Sequence, residues 1–172
     1  GPILTQIDLP VTFEGTTVNY TMTDFGGNAS MLMIDPTNAA NKVMRVIKTT
    51  GAQTWAGTTI STPTGLATAI PFTATDQKMT VKVWSPTAGT PILLKVEDAA
   101  NGGINSEVSV NTTVAAGWDS LVFDFSTASS AINLANTYNM ASIFMDFLSA
   151  AAQDTFYFDD VMFVNGGAVS IS

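Results

Sequence analysis

With 172 residues, 46% of them hydrophobic and only 12% charged, the chain can build one domain with a substantial core and a surface made largely of Thr, Ser, Asn and Gly. A net charge of −8, with only 6 Lys and Arg, excludes the clustered basic surface that nucleic acid or an anionic membrane requires. Histidine and cysteine are absent, which removes disulfides, the usual zinc ligands and every Ser-His or Cys-His nucleophile, so any catalysis would rest on carboxylates.

Gly1-Pro2 matches the remnant left by a tag-removing protease and is set apart, leaving residues 3–172 as one domain expected to come from a longer, multidomain protein. An apolar stretch opens the chain at residues 7–13, followed by Glu14. The loop Asp24-Phe25-Gly26-Gly27-Asn28 leads into the apolar residues 31–34, and Asp35-Pro36-Thr37-Asn38 reads as a turn, with Pro fixing φ and Asp and Asn able to bond nearby backbone. Strands are predicted over residues 42–48 and 54–60. Residues 78–84 alternate with period two, Met79, Val81 and Val83 against Lys82 and Trp84. A Pro- and Gly-containing connection leads into residues 92–98, where Leu93, Lys95 and Glu97 share the face opposite Ile92, Leu94 and Val96.

Further strands are predicted over 107–114, 118–125, 142–149 and 155–164, with a looped or weakly helical stretch at 126–140. Many short strands with Gly and Pro turns, and no sustained helical period, predict an all-β fold, a two-sheet antiparallel sandwich or barrel. No run of about 18 apolar residues predicts a membrane span.

Two features carry chemistry. The first is Phe156-Tyr157-Phe158-Asp159-Asp160-Val161-Met162-Phe163, a strand that should bury one face yet holds adjacent aspartates, which is costly unless something neutralises them. A hard cation with six to eight oxygen ligands, tying this last strand to Glu14 near the first, would do so. The second is an outer sheet face. If the outward sides of neighbouring strands align, one surface carries Trp84, Lys82, Lys95, Glu97, Glu107 and Asp146, with Trp55 in a Thr- and Gly-rich stretch that offers a large ring few packing partners. Flat aromatic rings suit the apolar face of a pyranose, and the charged groups suit its hydroxyls. Trp118, heading an alternating strand, is expected to anchor a sheet edge. The same lysines and glutamates also fit plain cross-strand ion pairs.

The segments around Leu9-Pro10-Val11-Thr12-Phe13-Glu14, residues 24–28, residues 48–57, Val83-Trp84-Ser85-Pro86, residues 94–98, residues 118–125 and residues 157–161, in this order and spacing, resemble the β-jelly-roll carbohydrate-binding modules of secreted, multimodular glycan-degrading and glycan-capturing proteins of marine Bacteroidota. The resemblance implies a jelly-roll sandwich of two sheets with four or five strands each, an extracellular or cell-surface location, and a polysaccharide ligand on the concave face or its rim. It implies a structural calcium ion held by Glu14 and Asp160, or Asp159 in its place, with Asn38 and the Lys42 carbonyl contributing. It implies binding without catalysis, laminarin being the first expected glycan; alginate, galactans and mannans are alternatives. A structural or adhesive sandwich that contacts protein, and a jelly-roll lyase or hydrolase, are the competing function classes.

Overall fold

The computed structural model describes residues 3–149, 152–166 and 168–169, and folds them into two antiparallel sheets packed face to face. Gly1-Pro2 lies outside the described residues. One sheet joins β1 (Thr23–Phe25), β4 (Gly57–Thr59), β9 (Met140–Met145), β6 (Pro91–Asp98) and β7 (Asn101–Asn111), in that spatial order. The other joins β2 (Asn28–Asp35), β3 (Asn38–Lys48), β10 (Asp154–Asn165), β5 (Lys78–Ser85) and β8 (Gly117–Asp124), with β11 (Ala168–Val169) beside β10. The all-β sandwich expected from the sequence is the fold observed.

Period-two alternation sets which side chains fill the space between the sheets. Met79, Val81 and Val83 of β5, Ile92, Leu94 and Val96 of β6, and Phe156 and Phe158 of β10 all point inward and are fully buried or nearly so. Each such side chain contributes about 1.5–3 kcal/mol of burial free energy. β8 is an edge strand, as expected for the segment headed by Trp118. The strand β9 is buried on both sides, because one face meets the core and the other lies under the aromatic side chains described below.

The opening apolar stretch and two of the predicted strands differ in pairing. Residues 7–13 form no ladder: Ile7, Val11 and Phe13 are buried in the core, but pairing is limited to isolated bridges such as Val11 with Val161. Pro10 brings no N–H to a ladder there. In the segment 54–60 only Gly57–Thr59 is strand, and Trp55 sits on the loop before it. The segment 142–149 leaves the sheet after Met145, because Asp146 (φ 48°) and Leu148 (φ 72°) adopt left-handed backbone.

Candidate functional site

The outer face of the sheet containing β6 forms a groove whose two sides differ in chemistry. Register builds the polar side: Thr59 on β4 stands opposite Ser142 on β9, Ser142 opposite Lys95 on β6, and Lys95 opposite Glu107 on β7. Thr59 and Ser142 share a hydrogen bond of 2.7 Å, and Glu97 follows two residues after Lys95 on the same face. The apolar side is a run of rings. Trp55 stacks on Phe25 (6.5 Å between centroids, 19° between planes), Phe25 meets Phe144 edge-on at 5.5 Å, and Phe144 meets Phe147 at 5.6 Å. Together these residues and Leu93 enclose a cavity of about 340 Å³.

Local sequence explains why the rings sit close over the sheet. Gly57 stands opposite Phe25 in the ladder, and a Cβ there would come within 2.5 Å of the Phe25 ring and 2.8 Å of the Phe144 ring. The missing side chain is the space those rings occupy. Gly26, with φ 71°, passes beneath the Trp55 ring, where a Cβ would lie 3.0 Å from Cζ3. A left-handed φ and a ring in contact leave glycine as the residue that fits.

Trp55 is 51% exposed, yet its loop is pinned. The Gln53 N–H donates to the Gly26 carbonyl at 2.8 Å, and the Leu148 N–H donates to the Thr54 carbonyl at 3.0 Å. Beneath the loop, Lys48 is only 5% exposed and its Nζ donates to the carbonyls of Asp146 (2.8 Å), Met145 (3.1 Å) and Thr54 (3.5 Å). Burial pushes the Lys48 ammonium below its ordinary value, and the Asp146 charge offsets part of this. One buried cation therefore ties the Trp55 loop to the exit of β9, which carries Phe147.

The sequence placed Trp55, Lys95, Glu97 and Glu107 on a recognition face, and the structure gathers all four in this groove. Trp84 and Lys82 were expected on the same surface, and here the expectation fails. β5 and β6 belong to different sheets, so the outer faces of the two strands point in opposite directions. The connection between them crosses from sheet to sheet, braced by hydrogen bonds among Ser85, Thr87, Thr90 and Thr112. Asp146 is also off the face: the left-handed turn takes it out of the β9 alternation and brings its carbonyl to Lys48. Phe25, Phe144 and Phe147 line the groove and were not singled out from the sequence as contact residues.

Of the residues expected to hold a metal, all but Lys42 come together, on the other sheet. Glu14, Asn38, Asp159 and Asp160 line one cavity of about 590 Å³, with Asp35 and Asn41 beside them. β10 breaks register between Asp159 and Met162, which opens the gap, and both Phe13 (φ 61°) and Asp160 (φ 50°) hold left-handed backbone there. Glu14 accepts the Lys42 backbone N–H at 2.8 Å, so Lys42 meets Glu14 as a donor. Asp160 pairs with Lys82 at 3.2 Å. Asp159 is 2% exposed and accepts from the Asn41 side chain at 2.9 Å. Burial, aided by the charges of Asp160 and Glu14, pushes its carboxyl up to about 6. An oxygen-only donor set with an under-compensated buried carboxylate suits a hard cation. Among the described residues, however, no three acidic groups converge closely enough to form a ready metal cage.

No protein-family model matches the sequence, and no curated protein does. Solved structures share the fold. The chain is similar to a family 11 carbohydrate-binding module from Clostridium thermocellum in complex with a β-1,3-1,4-mixed-linked tetrasaccharide, at 16% identity and a TM-score of 0.60, with 93% of this chain and 95% of that one covered. It is similar to a family 29 carbohydrate-binding module variant complexed with mannohexaose, at 9% identity and a TM-score of 0.53, covering 91% and 87%. It also matches an exo-β-agarase at 10% identity and a TM-score of 0.61, where 92% of this chain covers 25% of the agarase. At such identities the likeness is one of fold.

Proposed function

We propose that the domain is a non-catalytic carbohydrate-binding module whose groove takes a neutral polysaccharide, a β-glucan in the first instance and laminarin first among those. The observation that carries this is the groove's division into an aromatic wall, whose exposed ring is Trp55 on half-buried Phe25, and a facing row of Lys95, Glu97 and Glu107 beside the buried pair of Thr59 and Ser142. A pyranose has the same division, with an apolar ring face and an equatorial belt of hydroxyls that both donate and accept. The fold shared with modules solved with mixed-linked glucan and mannohexaose supports the reading. Lys95 between Glu97 and Glu107 leaves the groove without the surplus of positive charge that a uronate or sulfated glycan would call for.

The groove carboxylates argue against glycoside hydrolysis. Glu107 stands opposite Lys95 and Glu97 opposite Asn105, so the two carboxylates are diagonal neighbours on one sheet face with Lys95 beside both, whereas hydrolysis needs carboxyls on either side of the scissile bond. On this reading the groove serves contact, and Lys95 sits beside both carboxylates as a charge partner. In keeping with this reading, the domain is a secreted or cell-surface part of a larger glycan-handling protein.

The reading extends to the acidic cavity on the opposite sheet, which we assign to a structural calcium ion held by Glu14, Asn38 and one of Asp160 and Asp159. The ion would join the first segment of the chain to the last strand and stabilise the folded state by mass action. Affinity electrophoresis against laminarin, mixed-linkage glucan, cellulosic, mannan, galactan and alginate polymers tests the ligand. Retardation by a neutral β-glucan with no release of reducing ends supports the proposal; no retardation by any polymer, or product formation, refutes it. A melting temperature unmoved by chelator and by added calcium refutes the ion.

A further inference from the structure

We propose that the domain carries a second sugar-contact site, back to back with the groove: a slot framed by Trp84, Trp118 and Tyr157 that takes one neutral pyranose ring. The slot shares no residue with the groove, so the two assignments stand or fall separately.

Register builds the slot. Tyr157 on β10 lies opposite Trp84 on β5, and Trp84 lies opposite Trp118 on β8, so three large aromatics stand side by side across three neighbouring strands. They point away from the core, on a face where β5 otherwise presents Lys78, Thr80 and Lys82. Trp84 and Tyr157 meet at 5.5 Å and 79°, forming a corner. The Trp118 Nε1 donates to Thr37 Oγ1 at 3.2 Å, which draws the turn at residues 35–38 over the rings. Asp35 fixes that turn by accepting from the Thr37 backbone and hydroxyl at 2.8 and 2.7 Å. The turn does not close the space: a cavity of about 250 Å³ remains between Pro36, Thr37 and the three rings. All three rings are partly exposed.

The lining selects the occupant. Aromatic walls with the Thr37 hydroxyl along one rim suit a ring that is apolar on its face and bears hydroxyls at its edge. Arg45, opposite Tyr157, and Lys82, beside Trp84, are matched by Asp35 and by Glu14, Asp159 and Asp160 of the adjoining cavity, so no surplus of positive charge selects a uronate or sulfated sugar. A protein partner needs roughly 1,000 Å² around an apolar centre, whereas the outward residues next to the rings include Arg45, Lys82 and Ser120. The groove and the slot lie on opposite sheets with the core between them, so one stretch of glycan cannot fill both. Filled together they would bridge two glycan strands and raise avidity on a gelled or insoluble polysaccharide.

The three tryptophans give three separate reporters. Their indole N–H resonances, assigned with Trp55→Phe, Trp84→Phe and Trp118→Phe, are followed in nitrogen-15-labelled protein titrated with cellotetraose and with laminaritetraose. In Trp55→Ala, where the slot is untouched, the Trp84 and Trp118 signals are expected to shift and saturate as in the parent. Trp84→Ala is expected to abolish the Trp118 shift and leave the Trp55 titration unchanged. Slot signals that stay fixed at sugar concentrations saturating Trp55, or that move only while Trp55 is present, overturn the proposal. Slot signals that ignore sugar but shift with protein concentration assign the slot to a second copy and overturn it too. Movement of the slot signals with Trp55 unmoved by either sugar leaves the second site standing and removes the groove.

Discussion

Replacing Trp55 by alanine separates recognition from folding, because the side chain is divided almost evenly between the two. With 51% of its surface exposed, the ring is open on one side and rests on Phe25 and Gly26 on the other. Aromatic side chains bury about 150–250 Å² when fully covered, so on the order of 100 Å² is free to meet a ligand here. Covering most of that at about 25 cal/mol per Å² contributes roughly 2 kcal/mol, which corresponds to about a 30-fold change in affinity. For a weakly binding open groove, such a loss moves retention out of the measurable range. Calorimetric titration with the best polymer from the glycan screen checks the affinity, and circular dichroism melting checks the fold, which should lose no more than the stacking on Phe25. An affinity within twofold of the parent, with the fold intact, would place the ligand elsewhere. Collapse of the fold would instead make Trp55 a core residue and refute the division of labour.

Three further outcomes follow from the same geometry. Gly57→Val should cost about 1–3 kcal/mol of stability and weaken glycan binding together, since its branched side chain must displace the Phe25 and Phe144 rings; unchanged melting and affinity would show that the rings are not seated by the missing Cβ. Lys48→Met keeps the length of the side chain but strips the donor from the Met145 and Asp146 carbonyls, which should cost about 2 kcal/mol and lower the affinity through the loosened Trp55 loop; chemical denaturation and calorimetry read the two effects. In protein stripped of divalent cations, Asp159 has a folded pKa of about 6, above its unfolded value of about 3.9, so its contribution to stability is full below about pH 4 and is lost as pH rises through 6. The parent should then gain about 1 kcal/mol at pH 5 over pH 7 relative to Asp159→Asn, and equal pH profiles for the two would show that this carboxyl is not the buried acid.

Local pattern and long-range pairing were not equally readable in this sequence. The inward sets of β5 and β6 follow from alternation alone, because each strand has one face in a shared core. Alternation says which side chains share a face of their own strand, and nothing about which strand lies beside it. The connection between β5 and β6 carries the Pro and Gly of a hairpin, yet it carries the chain from one sheet to the other, which moves Trp84 and Lys82 from the groove to the opposite side of the molecule. Consecutive strands are neighbours only about two-thirds of the time, and the hydroxyl cluster that braces this crossing is assembled only after folding. Asp146 escapes for a different reason: left-handed backbone at a non-glycine residue is uncommon, and the enrichment of Asp there is too weak a signal to mark one position.

Cost was a better guide than pattern where residues far apart had to meet. Adjacent aspartates in an aromatic strand are expensive wherever that strand lies, so Asp159 and Asp160 announced a compensating environment before any pairing was known. The structure brings Glu14 and Asn38 to them across most of the chain. The same logic would have found the groove. A glycine between Ala56 and Thr58 in a strand forfeits backbone entropy and side-chain packing, and such a loss is explained only if something larger occupies the space where its Cβ would be. Phe25 and Phe144 occupy it, and by lying over Gly57 they become the floor on which Trp55 is presented. The ring wall is thus encoded less by its aromatics, which the sequence cannot tell from core residues, than by the gap left for them.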